Sequence, residues 1–316
     1  MKRLLSFIVG LSFCAAAAAQ YPQKPIRMVV PFPPGGAADL TARVVAQPLG
    51  QVLGQPVVLD YKAGADGAIA GNDVKNASPD GYTLLFGTNT GMCAAPVLRK
   101  NPPYDPLNDF TPVALVGKFG FFVFAHASVP AKDMKGLIEY VKQNPGKLNY
   151  GTGNSTSIIT TAQLASMEGL KMQHIPYKGD AAATLDLVAG RVQFLIATPG
   201  SVIPHVKDGK VRAHAALLPS RSPLLPDAPT MKEAGLKDIP IQPYAAIYGP
   251  ARMPKDVVDR LEKAVQQVMA MPAVKEGVAR HAFEAQSSTT EELVAFHREQ
   301  LELWRKTTKE VGIVPD

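Results

Sequence analysis

The sequence predicts an α/β protein of two lobes, and three observations carry that prediction. The chain has 316 residues, and at roughly 150 residues per domain that is enough for about two. Hydrophobic residues make up 46% and charged residues 19%, which excludes a disordered chain and leaves ample material for a core. Short apolar runs alternate with amphipathic stretches along the chain, the pattern of strands joined by helices in mostly parallel sheets.

The first residues precede that pattern. Lys2 and Arg3 form a positive start, residues 4–13 an apolar run and residues 15–19 a run of small side chains. This is the composition of a secretory signal peptide cleaved near Ala19. The apolar stretch from 4 to 19 falls short of the roughly 20 residues that a spanning helix needs. Phe13 before Cys14 speaks against a lipoprotein anchor. The mature chain is therefore expected in the periplasm, with Cys93 as its one cysteine and no disulfide available.

Residues 26–30 are a buried strand ended by Pro31, and 39–53 are a helical stripe interrupted by Pro48, which should kink or split it. Strands are expected at 57–60, 82–86, 113–116 and 121–125, with KAGADGAIAG at 62–71 following the first of them. The stretch 133–144 is a clear amphipathic helix closed by Pro145–Gly146. Strands at 148–151, 174–177, 192–196 and 211–217 then alternate with helices at 156–168, 180–189 and 202–207. A proline-rich stretch leads to a small helix at 231–234 and a strand at 244–248. Helices at 254–269 and 290–309 end the chain, the second opened by Thr289, Thr290, Glu291 and Glu292 as cap and first-turn charge. Strand-like segments near 118–125 and 243–249 would carry the chain across and back. One lobe is then expected at 20–122 plus 246–316 and the other at 123–245.

The formal charge is +6 and the isoelectric point about 9.2. Loss of residues 1–19 removes two positive charges and leaves +4. The basic residues are scattered, with no run and no aromatic interleaving, so nucleic acid is not an expected partner. Catalysis finds little support. G-x-S-x-G and Walker motifs are absent, and the six histidines lack compact metal spacing. His205 and His214 are read as surface or strand-end residues, and Cys93, among Met92, Ala94 and Ala95, as a buried inert thiol. No catalytic residue, metal or cofactor is expected.

Anion capture finds more. Two places share one design of strand, small-residue loop and helix start. In PFPPGGAAD, Gly35 and Gly36 permit a tight turn ahead of Asp39; in YGTGNSTS, Gly151 and Gly153 turn the chain while Thr152, Asn154, Ser155, Thr156 and Ser157 add neutral donors. A helix N-terminus offers unpaired N–H groups and a positive dipole end, and binds carboxylate without any cation. Either loop alone also reads as an ordinary βα turn. One in each lobe lets both clamp a single ligand. Tyr177–Lys178–Gly179 repeats the pattern, and Thr88, Asn89 and Thr198 are further strand-end candidates, each equally able to cap the helix that follows.

These stretches, with LGQPVVLDYKAG, SPDGYTLLFGTN, PGKLNY, PYKG and the terminal VGIVPD, resemble the extracytoplasmic receptors of tripartite tricarboxylate transporters, the Bug or TctC type. The resemblance covers nearly the whole mature chain. It implies a two-lobed, type II periplasmic-binding-protein fold with a ligand cleft between the lobes. It also implies a monomeric receptor that delivers a small organic acid to the membrane subunits of a carrier. Carried over, the site comprises Phe32, Pro34, Gly35, Gly36, Ala37, Ala38 and Asp39 from the first loop and residues 151–157 from the second. Thr88, Asn89, Tyr177, Lys178 and Thr198 complete it. Many members carry an acidic residue where this chain has Ile196-Ala-Thr-Pro-Gly200. Its loss predicts a ligand without an amine: a dicarboxylate, a tricarboxylate or an aromatic carboxylate. The alternatives are a periplasmic hydrolase of a small carboxylate ester and a sensory receptor without a carrier.

Overall fold

The computed structural model describes residues 21–315, so the signal-peptide reading of residues 1–19 lies outside the described residues. The chain builds two mixed sheets. The first has strand order β11-β4-β10-β3-β1-β2. Its strands are β1 (Ile26–Val30), β2 (Val57–Tyr61), β3 (Thr83–Thr88), β4 (Phe110–Phe119), β10 (Tyr244–Pro250) and β11 (Phe283–Ala285). The second, β7-β6-β8-β5-β9, uses β5 (Phe122–His126), β6 (Asn149–Thr152), β7 (Gln173–Pro176), β8 (Phe194–Ala197) and β9 (Val211–Ala216).

The expectation of mostly parallel sheets is corrected. β2, β1 and β3 run parallel, as do β7, β6 and β8. β10 and β11 run antiparallel to their neighbours, and β5 runs antiparallel to β8 and β9. Only strands followed by a helical crossover can pair in parallel. β4 and β5 are joined by just Gly120 and Phe121 and belong to different sheets, so that rule does not govern the strands that carry the chain across.

Helix α1 (Ala37–Leu53) is closed by Gly54 in the left-handed conformation. Ala42, Val45, Leu49 and Leu53 form its buried stripe. It runs through Pro48 without a break, contrary to expectation. The buried stripe on either side of Pro48 packs on α8 (Lys255–Ala270) and α9 (Pro272–Ala279), and this packing outweighs one missing backbone hydrogen bond. Helix α2 (Ala68–Lys75), which the sequence reading did not assign, follows β2. Its interior Gly71 hides the helical pattern, because a Cβ there would overlap the Tyr104 ring.

A π-helical turn at Thr90–Ala94 and the short α3 (Ala95–Val97) follow β3. The small helix expected at 231–234 is a single turn. Thr230 and Glu233 cap each other at its start, and Gly235, at φ 76°, stops it. The second sheet is covered by α4 (Met134–Gln143), α5 (Ser155–Glu168), α6 (Asp180–Val188) and α7 (Ile203–Lys207). His214 is buried in β9, with neither ring nitrogen hydrogen-bonded, and burial lowers its pKa. Its surface assignment is corrected, because α4 packs over β9.

The larger core cluster runs from Met28, Val45, Tyr248 and Leu261 into the second sheet at Val123 and Ala125, while Phe122 and Phe124 join a second cluster with Leu187 and Val192. The period-two alternation of β5 thus divides its side chains between two cores. α8 and α10 (Thr290–Glu310) pack on β4, returning the C-terminal part to the first sheet. α10 starts with a capping box between Thr289 and Glu292, as the sequence predicts.

Candidate ligand site

The candidate residues lie where parallel strands end. In the first sheet the loop after β1 leaves Pro33, Pro34, Gly35 and Gly36 exposed, with Phe32 anchored against the core. Gly35 sits at φ 91°, a conformation that a side chain disfavours. Gly36 is the N-cap and supplies no side-chain cap. The first closing bond of the helix is Leu40 N–H to Gly36 O at 3.0 Å. The amides before it, including those of Ala37 and Ala38, have no intrahelical acceptor.

Asp39 is in this loop's frame, turned inward at 2% exposure. Its carboxylate accepts Gly35 N–H at 2.7 Å, Arg43 Nε–H at 2.7 Å and the Tyr61 hydroxyl at 2.5 Å. Burial alone would raise its pKa, but the hydrogen bonds from Gly35, Tyr61 and Arg43 outweigh it and hold the group below the usual carboxylate range. The carboxylate folds the loop back on the helix. Tyr61 and Arg43 were not singled out from sequence; they come from β2 and from the next turn of α1.

The donors after β3 face the second domain. Asn89 donates from Nδ2 to Thr156 Oγ1 at 2.7 Å and accepts Tyr244 N–H at 3.3 Å. Thr90 Oγ1 lies 3.3 Å from the same Thr156 hydroxyl. The buried Thr88 hydroxyl has no partner. In the second loop Thr152 Oγ1 meets His174 Nε2 at 2.7 Å, and Asn154 caps α5 by accepting Ser157 N–H at 3.0 Å. Among the described residues, Ser155 has the one hydroxyl of this loop that no protein group engages.

One residue absent from the sequence reading joins the ends of three strands. Asp180, in the first turn of α6 after β7, accepts Asn154 Nδ2–H at 2.8 Å. Its other oxygen accepts the Thr198 hydroxyl at 3.0 Å and Thr198 N–H at 3.4 Å. The carboxylate lies across Gly153, where a Cβ would overlap Asp180 N and Oδ1. Burial raises its pKa against these three hydrogen bonds. The sequence argument from a missing acid near Thr198 is corrected: an acid is there, delivered by a different strand end. Its signal was the first-turn position, which Asp39 also holds in α1.

Tyr177 and Lys178 adjoin the second loop: Tyr177 N–H donates to Thr152 O at 2.8 Å and Gly179 N–H to Gly153 O at 3.0 Å. Tyr177 donates its hydroxyl to Asp186 at 2.8 Å, within α6. Lys178 is exposed. Burial pushes His297 down to about 4 and the Cys93 thiol up to about 12. Among the described residues no cluster of three or more His, Cys, Asp or Glu could hold a metal ion.

The family model for the tripartite tricarboxylate transporter family receptor, TctC, matches residues 41–313. The chain is 31% identical to protein BugT of Bordetella pertussis, over 99% of this chain and 98% of that protein. A solved Rhodopseudomonas palustris protein with adipate is 29% identical, at a TM-score of 0.86, covering 94% of this chain and all of that one. MatC of the same organism, solved with bound malate, is 28% identical at a TM-score of 0.80, covering 91% of this chain and 99% of that one.

Proposed function

The chain belongs to the tripartite tricarboxylate transporter receptor family, and from that premise we propose that it captures a small organic carboxylate between its two domains and hands it to membrane subunits of a carrier. It is a solute-binding protein of the TctC and Bug type. β5 from Phe122 belongs to the second sheet and β10 from Tyr244 to the first, so the domains that close on the ligand are residues 21–121 with 244–315, and 122–243, in place of the bounds expected at 122/123 and 245/246. The protein acts in the periplasm as a monomer and returns its ligand unchanged. No helix among the described residues is long and apolar enough to cross a membrane.

The observation that carries this reading is the loop from Phe32 to Ala38. Its exposed residues Pro33 to Gly36 lead into a 17-residue helix whose first amides have no intrahelical acceptor, while the neighbouring cation, Arg43, is paired with Asp39. Such a site takes a carboxylate by backbone N–H groups and a helix dipole. In the second domain Ser157 N–H is taken by Asn154, which leaves the Ser155 hydroxyl as that loop's group for the ligand. Binding of adipate and malate by relatives supports a small organic carboxylate as the ligand.

A thermal-shift screen of residues 20–316 against mono-, di- and tricarboxylates and aromatic acids tests the proposal. A ligand at a hundred times its Kd stabilises by about 2.7 kcal/mol, so at least one acid is expected to raise the melting temperature by several degrees. A panel without any shift, or turnover of small carboxylate esters, contradicts it.

A further inference from the structure

Resting on that receptor reading, we propose that Asp180 is a specificity determinant: its carboxylate fills the donors at the ends of β6 and β8, so the ligand meets the second domain with a hydroxyl or ammonium group and not with a second carboxylate.

The placement carries the argument. β7, β6 and β8 are parallel neighbours, and ligands of open α/β sheets bind beyond the carboxyl ends of such strands. Asp180 enters from the end of β7, crosses Gly153 at the end of β6 and reaches Thr198 at the end of β8. The groups it engages are an amide N–H, a hydroxyl and a backbone N–H, the neutral donors that an incoming anion would otherwise use. Gly153 is indispensable to this path, because any side chain there collides with Asp180.

The charge is left uncompensated. Asp39 pairs with Arg43 and Asp186 with Arg191, each at 2.7 Å. No Lys, Arg or His nitrogen lies within 4.0 Å of Asp180 among the described residues. Two carboxylates brought together in a partly dry cleft repel, whereas a carboxylate with spare lone pairs attracts a donor. Burial raises the Asp180 pKa, as expected of an acid with no partner cation. The wall that the second domain presents to the ligand is thus an acceptor wall, opposite in character to the amide-rich loop at Gly36.

Calorimetry at pH 7 on the mature chain and on Asp180→Asn tests this with two matched sets: succinate, 4-hydroxybutyrate and 4-aminobutyrate, and adipate, 6-hydroxyhexanoate and 6-aminohexanoate. The wild-type chain is expected to bind a donor-ended acid at least tenfold tighter than the diacid of equal length. Asp180→Asn is expected to erase or invert that ratio by gaining affinity for the diacids, and diacid binding by the variant alone supports the proposal equally. Asp180→Ser replaces the amide variant if its melting curve shows misfolding. A diacid preference in the wild-type chain, an unchanged ratio in the variant, or no binding of any of the six by either protein overturns it. The receptor reading survives each of these results as long as another acid of the thermal panel binds.

Discussion

Asp39 is an anion at the mouth of the proposed anion site, and its surroundings resolve the conflict. The sequence picks it out correctly as part of the loop, but as a ligand contact. Its three donors instead make it a positioning residue that presents neighbouring amides. Spacing along the chain cannot reveal this, because Tyr61 reaches it from another strand. Hydrogen bonds to a charged group contribute roughly 1.5–3 kcal/mol each at most, so Asp39→Asn is expected to lower stability by about 1–3 kcal/mol at pH 7. The folded-state pKa is depressed, so the native chain binds fewer protons than the unfolded one. The contribution is present above the unfolded value of about 3.9 and is lost as the pH falls through the folded value. Urea unfolding of both proteins should show the gap closing below about pH 4, and a gap independent of pH would contradict the assignment. Asp180 went unread for a related reason: an acid after Gly179 reads as ordinary first-turn composition until Asn154 and Thr198 are seen beside it.

Helices with a strong apolar stripe were legible, and those whose glycines or prolines serve packing were not. α4, α8 and α10 match their expected spans to within one residue. α2 was hidden by Gly71, which is required by Tyr104 rather than by a turn. β11 has three residues, too few for a period. α1 kept its continuity through Pro48 because tertiary packing overrode a local breaker. Proline inside a helix costs up to about 3 kcal/mol relative to alanine. Pro48→Ala is therefore expected to raise stability by about 1–3 kcal/mol in chemical denaturation, without altering ligand affinity. An unchanged or lowered midpoint would mean that the surrounding backbone has already adapted to the proline.

On the scale of the whole molecule, two sheets and a twice-crossing chain were readable from the order of elements, whereas strand direction was not. The antiparallel halves arise where the chain moves between sheets, and a one-dimensional alternation carries no trace of that. The tie between the two halves was equally invisible. Asn89 and Thr90 from the first sheet meet Thr156 of α5, so Asn89 and Thr156, expected to face a ligand, also join the domains. On the proposed reading, the loop amides of α1, the Ser155 hydroxyl and the Asp180 wall define the ligand's surroundings. On that proposal the mild positive charge of the chain plays no part, and the selectivity for an anion rests on groups without formal charge. Its most direct test is a crystal structure of residues 20–316 grown with the acid that gives the largest thermal shift. A ligand carboxylate within hydrogen-bond distance of the amides of Gly36, Ala37 and Ala38, with no lysine or arginine paired to it, is the predicted result. A carboxylate held by Lys178 or another basic side chain, away from those amides, would contradict the account.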